Sequence, residues 1–159
     1  FEALASAENS TDIGMSSRKI KPEEALSLKN LGDMESLRSE HVIGLDGIAV
    51  IAHRNRPLDA ISIQDLRRIF TGEIEYWPGS GTPGQRIQVH ARDDISGTYD
   101  TFKSIVLGRG DKLVPSARRY EDSGALAAAV AADENAIGFV GLAYVTGGVR
   151  AIPVSASND

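Results

Sequence analysis

The chain has 159 residues, of which 42% are hydrophobic and 25% are charged, a balance typical of a globular domain with enough apolar material for a core. Its formal net charge is −5, so no overall positive field is available to hold nucleic acid or an anionic membrane surface. The chain contains no cysteine, which excludes disulfide bonds, thiolate metal sites and a cysteine nucleophile within it. We therefore expect any bound anion to be held by local groups.

Short apolar strands and helices alternate along the chain. In chain order, the sequence predicts a strand over 12–15, a helix after Pro22, a strand over 47–52, a helix over 62–70, a strand over 86–91, helices from about 96 and over 123–133, and strands over 136–140 and 149–154. The continuously apolar run 47–52 is typical of a strand covered on both faces. Ser62 fits the start of its helix and Gly72 fits the end. The segment 77–84, rich in glycine and proline, predicts a loop. The alternation predicts an α/β fold with a mixed sheet flanked by helices.

The segment 90–102, between a predicted strand and a predicted helix, is the most informative for function. Ser96, Gly97 and Thr98 are expected to present backbone N–H groups at the helix N-terminus, where the macrodipole supplies about half a positive charge. Gly97 allows a close backbone approach, and the two hydroxyls add donors. Arg92 supplies a fork for two oxygens of one oxyanion. The pattern predicts an anion site, with a plain helix cap and a surface arginine as the alternative interpretation.

Other readings of single residues are weaker. Asp93 and Asp94 could be paired carboxylates, but solvated loop acids are as good an interpretation. A hydrolase built on Ser96 and His90 lacks the Gly-x-Ser-x-Gly elbow. The three histidines are scattered and predict no metal cluster, and the basic pair 118–119 fits solvated charge better than nucleic-acid contact. We therefore expect no enzyme activity, no cofactor and no metal site.

The spacing of Arg92, Ser96, Gly97 and Thr98 matches an Arg-x-x-x-Ser-Gly-Thr loop. In this loop the chain resembles the phosphate-binding proteins of bacterial phosphate ABC transporters, which are periplasmic-binding-protein-like proteins of type 2. The likeness extends, in the same order along the chain, to segments 9–18 and 45–51, to segment 66–72 followed by Trp77, and to segment 136–141. Together these segments span nearly the whole chain, so the resemblance does not depend on one motif.

The resemblance implies that phosphate is held between two lobes. Arg92, Ser96, Gly97 and Thr98 then come from one lobe, and Ser16 or Ser17 comes from the other. Ser17 stands where some family members have an aspartate that accepts a hydrogen bond from protonated phosphate. Asp94 lies at a position where the family has a carboxylate that braces the arginine, a supporting role outside direct ligand contact.

The resemblance also implies a division of the chain. It assigns 1–45 to a partial first lobe, 46–140 to a nearly complete second lobe, and 141–159 to a segment returning to the first lobe. Because the family's first strand and first phosphate loop should precede Phe1, we expect an N-terminally incomplete chain. An unpaired sheet edge and uncovered apolar surface would favour self-association of such a piece.

The function predicted from these observations is that of a periplasmic or otherwise extracytoplasmic solute-binding domain. It is expected to bind inorganic phosphate for ABC-type uptake or phosphate sensing, with a membrane permease or an adjacent envelope domain as partner and no nucleic acid. The alternative is a non-transport sensory or scaffold domain of a multidomain envelope protein, with weak or no phosphate binding, since a fold does not guarantee a function.

Overall fold

A mixed sheet organises the larger part of the chain. The structure, a computed structural model, describes residues 13–16, 19–44, 46–77, 85–108 and 110–156. Within these ranges the strands are β1 (Ile48–His53), β2 (Ile61–Ser62), β3 (Gln88–Arg92), β4 (Arg118–Tyr120), β5 (Ala136–Gly141), β6 (Val149–Ala151) and β7 (Val154–Ser155). The sheet has the order β4-β3-β5-β1-β6, while β2 and β7 form a separate parallel pair. Strand β3 runs parallel to β4 and β5, and β1 runs antiparallel to β5 and β6. The predicted mixed sheet is confirmed.

Helices connect the strands. They are α1 (Pro22–Ser27), α2 (Ile63–Thr71), α3 (Gly97–Phe102) and α4 (Ser123–Ala131), with short 3₁₀ turns at Lys29–Leu31 and Leu142–Tyr144 and a π-helical turn at Lys103–Leu107 that continues α3. Helix α2 lies one residue further along the chain than the predicted 62–70, and the residues predicted for its start and end, Ser62 and Gly72, are confirmed. Ser62 Oγ accepts a hydrogen bond from the N–H of Asp65 at 3.0 Å, and Gly72 ends the helix with a φ of 86°, which favours glycine.

The core lies on both faces of the sheet. Side chains alternate along each strand, so Val50 of β1 packs on one face and Ile51 packs on the other. Helices α2 and α3 cover the first face, where the rings of Phe102 and Phe139 stack with centroids 3.9 Å apart. Helix α4 covers the second face through side chains that include Leu126 and Val130. Strand β5 is buried along its whole length because both faces of the sheet are covered.

The chain divides into two compact units, residues 1–46 and residues 47–159. The sheet, with α2 to α4, belongs to the second unit, and α1 belongs to the first. Residues 149–155 lie in the second unit, because β6 pairs with β1 and β7 pairs with β2. The assignment of the return segment 141–159 to a first lobe stays a prediction. Within the described ranges, no helix combines the length and the apolar character needed to cross a bilayer.

Two of the predicted strands differ from the structure. The predicted strand over 12–15 is wrong for residues 13–15, which have no regular secondary structure and whose Ile13 and Met15 side chains are exposed; residue 12 lies outside the described residues. The strand predicted over 149–154 is split, because Pro153 between β6 and β7 has no N–H for a ladder bond. The predicted loop over 77–84 lies outside the described residues except for Trp77, which is buried.

Candidate anion-binding site

The end of β3 and the start of α3 are joined by a short turn. Strand β3 ends at Arg92 and α3 begins at Gly97. The N–H of Asp93 donates to the carbonyl oxygen of Tyr120 at 3.1 Å, which holds the start of the turn against β4. The N–H of Ser96 donates to the carbonyl oxygen of Asp93 at 3.3 Å and closes the turn. Arg92 and the first turn of α3 are thus brought to the same edge of the sheet.

Ser96 caps α3 as predicted. Its side chain is buried, and its Oγ accepts a hydrogen bond from the N–H of Tyr99 at 3.4 Å. The N–H groups of Gly97 and Thr98 also belong to the first turn, where a helix supplies no acceptors of its own. Both residues are partly exposed. These two N–H groups at the positive end of the helix can therefore bind an anion.

The guanidinium of Arg92 is held by the turn between β4 and α4. Nε donates to the carbonyl oxygen of Tyr120 at 3.2 Å, Nη2 donates to the carbonyl oxygen of Glu121 at 2.7 Å, and Nη1 donates to Oγ of Ser123 at 2.6 Å. An arginine side chain has five N–H donors. Three are used here, so one N–H on each terminal nitrogen has no partner among the described residues. Each terminal nitrogen therefore keeps one donor that an oxyanion can use.

Asp94 forms its ion pair with Arg119, at 3.2 Å between Oδ1 and Nη1. Arg119 also donates from Nη1 to the carbonyl oxygen of Arg92 at 2.9 Å. Asp94 is therefore linked to the Arg92 main chain through Arg119, and the direct brace of the Arg92 side chain stays a prediction. The sequence interpretation of Arg119 as solvated charge missed this contact. The sequence alone does not indicate this contact, because the contact depends on the pairing of β4 with β3.

His90 and Ser96 have separate partners. The ring of His90 is fully buried, and its Nδ1 lies 3.0 Å from the hydroxyl oxygen of Tyr120. Burial lowers the pKa of His90 from its ordinary value of 6.5, and the nearby charge of Arg118 lowers it further, while Asp133 acts in the opposite direction. The Ser96 hydroxyl oxygen binds a main-chain N–H instead. A hydrolase of the Ser–His–Asp type requires a histidine oriented toward the serine as its base, and the hydrogen bonds of His90 and Ser96 do not provide that arrangement.

The remaining predicted ligands belong to the first unit. Ser16 is exposed there, and Ser17 lies outside the described residues. Across the part of the chain that the structure describes, no three histidine or acidic side chains are grouped so as to hold a metal ion. The candidate site described here therefore consists of the β3–α3 turn and the side chain of Arg92.

Comparisons with known proteins identify the class of fold. A crystal structure from Clostridium perfringens, provisionally described as a phosphate ABC transporter substrate-binding protein with bound phosphate, is 33% identical, with a TM-score of 0.79, and the match covers 99% of this chain and 60% of that one. The fold is therefore that of the periplasmic binding proteins, as predicted. A model of the PBP superfamily domain matches residues 2–149, and the chain belongs to that superfamily.

Curated relatives agree with this assignment. The phosphate-binding protein PstS of Bacillus subtilis is 30% identical over 141 residues, which are 88% of this chain and 44% of the relative. The protein SphX of Synechococcus elongatus is 31% identical over 160 residues, covering 92% of this chain and 45% of the relative. The chain thus spans about half the length of the curated relatives it matches. The resemblance to phosphate-binding proteins stated from the sequence is confirmed.

Proposed function

We propose that the chain is a phosphate-binding part of an extracytoplasmic solute-binding protein that serves ABC-type uptake or phosphate sensing. The observation that carries this proposal is the junction of β3 with α3, where Arg92 ends the strand and the first turn of the helix begins five residues later. The names of the relatives and the bound phosphate of the Clostridium perfringens structure support inorganic phosphate as the ligand.

The proposed ligands fit the chemistry of an oxyanion. The two N–H groups of Arg92 that have no acceptor among the described residues donate to phosphate oxygens. The N–H groups of Gly97 and Thr98 donate to the phosphate from the N-terminus of the helix. The hydroxyls of Ser96 and Thr98 can donate as well, because a serine or threonine oxygen that accepts one bond retains its own hydrogen. Donors of this kind retain an anion without forming a covalent bond to it.

Ser16 is proposed as a further ligand from the other lobe, as is Ser17 on sequence grounds alone. Enclosure between two lobes would strip water from the phosphate and strengthen each charge-assisted hydrogen bond. Release of the ligand to a membrane permease or to an adjacent envelope domain is the step proposed to follow. The proposal assigns no catalytic role to any residue.

Calorimetric titration of the native full-length protein with phosphate tests this function, with sulfate as the matched anion. Saturable phosphate binding is expected. A protein that binds neither anion would contradict the proposal and favour a sensory or scaffold domain of the same fold. Tighter binding of sulfate than of phosphate would overturn the assignment of the ligand.

A further inference from the structure

The side chain of Arg92 is oriented by a single segment of the chain, residues 120–123. Its three hydrogen bonds end on two main-chain carbonyl oxygens and one side-chain oxygen of this segment. The carbonyl groups of Tyr120 and Glu121 are available whatever side chains stand there. The bond to Ser123 is the only one of the three that depends on the identity of the accepting residue.

The hydroxyl of Ser123 is not needed to cap its helix. Ser123 is the first residue of α4, and the cap is supplied by Asp122, whose Oδ1 accepts from the N–H of Ala125 at 2.7 Å. The Ser123 side chain is buried, and its Oγ accepts a hydrogen bond from Nη1 of Arg92 at 2.6 Å. This hydroxyl therefore contributes directly to the orientation of the fork.

We propose that Ser123 is a positioning residue of the anion site, one that fixes the Arg92 guanidinium before the anion arrives. The inference rests on the proposed function. A free arginine side chain has many rotamers, and their loss on binding weakens affinity. With Nε, Nη1 and Nη2 all bonded to one turn, the fork is preorganised and its two remaining N–H groups keep a fixed direction.

The test compares phosphate affinity in four full-length proteins by calorimetry: the native protein, Ser123→Ala, Arg92→Lys, and the double variant. Ser123→Ala is expected to bind phosphate about tenfold more weakly, the effect of losing one hydrogen bond to a charged group. Lysine lacks the fork that Ser123 orients, so adding Ser123→Ala to Arg92→Lys is expected to change affinity by less than about twofold.

The matched control is Ser62→Ala. Ser62 is buried, like Ser123, and is the cap of α2, so the loss of its hydroxyl is expected to lower stability and leave phosphate affinity unchanged. If Ser123→Ala does not fold, Ser123→Cys replaces it in the cycle, because cysteine is close to serine in size and its sulfur is only a weak acceptor.

The outcomes separate this inference from the proposed function. A native protein that does not bind phosphate contradicts the function itself. Native-like binding by Ser123→Ala overturns only the role of Ser123. Equal weakening by Ser123→Ala in the native and the Arg92→Lys backgrounds also overturns it, because a general structural effect acts whatever residue stands at position 92.

Discussion

Arg119 joins both sides of the β3–α3 turn to the edge strand β4. Its Nη1 lies 3.2 Å from Oδ1 of Asp94 and 2.9 Å from the carbonyl oxygen of Arg92. Its guanidinium also lies over the ring of Tyr99, 4.7 Å from the centroid. Arg119 therefore contacts the last residue of β3, the turn and the first turns of α3 together.

Replacement of Arg119 by glutamine is expected to weaken phosphate binding about fivefold, because the turn loses two of the contacts that hold it against β4, those of Arg119 with Asp94 and with the carbonyl oxygen of Arg92. The free energy of unfolding is expected to fall by less than about 1 kcal/mol, since the Asp94 partner is 79% exposed and exposed ion pairs contribute little. Calorimetry and urea unfolding measure the two quantities. The neighbouring Arg118→Gln is the control and should bind as the native protein does. Equal affinities for the two variants would remove Arg119 from the site.

The buried side chain of Arg56 is a separate point of stability. Its guanidinium donates to the carbonyl oxygen of Glu134, to Oδ1 of Asn135 at 2.9 Å and to Oε1 of Gln85 at 3.0 Å, and it lies over the ring of Trp77. Burial lowers its pKa, while Glu134 and Asp133 act in the opposite direction.

Arg56→Met is expected to lower the free energy of unfolding by about 3 kcal/mol, because it leaves these acceptors without their charged donor. Urea unfolding measures the change, and Arg68→Met, which removes an exposed arginine, is the control. A loss below about 1 kcal/mol for Arg56→Met would show that water replaces the arginine at these acceptors.

Gly138 lies where β5 meets α4. A Cβ at this position would stand 2.8 Å from Cδ2 of Leu126 and 3.2 Å from both Cγ2 of Val130 and the carbonyl oxygen of His90. Gly138→Ala is therefore expected to destabilise the fold by about 1–3 kcal/mol through overpacking. Thermal unfolding provides the measurement, with Gly147→Ala as control because no atom lies within 4 Å of its added Cβ. Equal stability of the two variants would show that α4 can move away at no cost.

Burial of His90 is expected to make the folded protein less stable at acidic pH. Its pKa in the folded protein lies below the ordinary value of 6.5, so the unfolded chain takes up the proton first as the pH falls. Stability is therefore expected to decrease as the pH drops below about 6.5 and to be unaffected by this residue above that value. Urea unfolding at pH 7.5 and 5.5 should give a smaller decrease for His90→Gln than for the native protein. Parallel decreases would mean that other groups cause the pH dependence.

The sequence predicted those parts of the fold that depend on local composition and on burial of both faces. Strands β1 and β5 are apolar runs buried on both sides, and Ser62 and Gly72 mark the ends of α2 by local chemistry. Strand β4 could not be found in this way. It has three residues, two of them arginines, and it is a strand only because it pairs with β3.

The same distinction applies to the candidate site. Arg92, Ser96, Gly97 and Thr98 lie close together in sequence, and their spacing was enough to predict a local anion site. Supporting residues such as Ser123 come from elements distant along the chain, and only the packed sheet brings them to Arg92. Sequence spacing therefore indicated the residues proposed to bind the anion but not the residues that hold them.

The most direct test of the account is a phosphate titration of the native full-length protein beside its Arg92→Ala variant. Removal of a charged fork from the proposed anion site is expected to weaken binding by at least about 2 kcal/mol, or about thirtyfold. Arg92→Lys should also bind more weakly than the native protein, because its ammonium group cannot bond two oxygens in the geometry of the fork. Phosphate binding of native strength in Arg92→Ala would contradict the account, because the anion would then be held elsewhere in the protein.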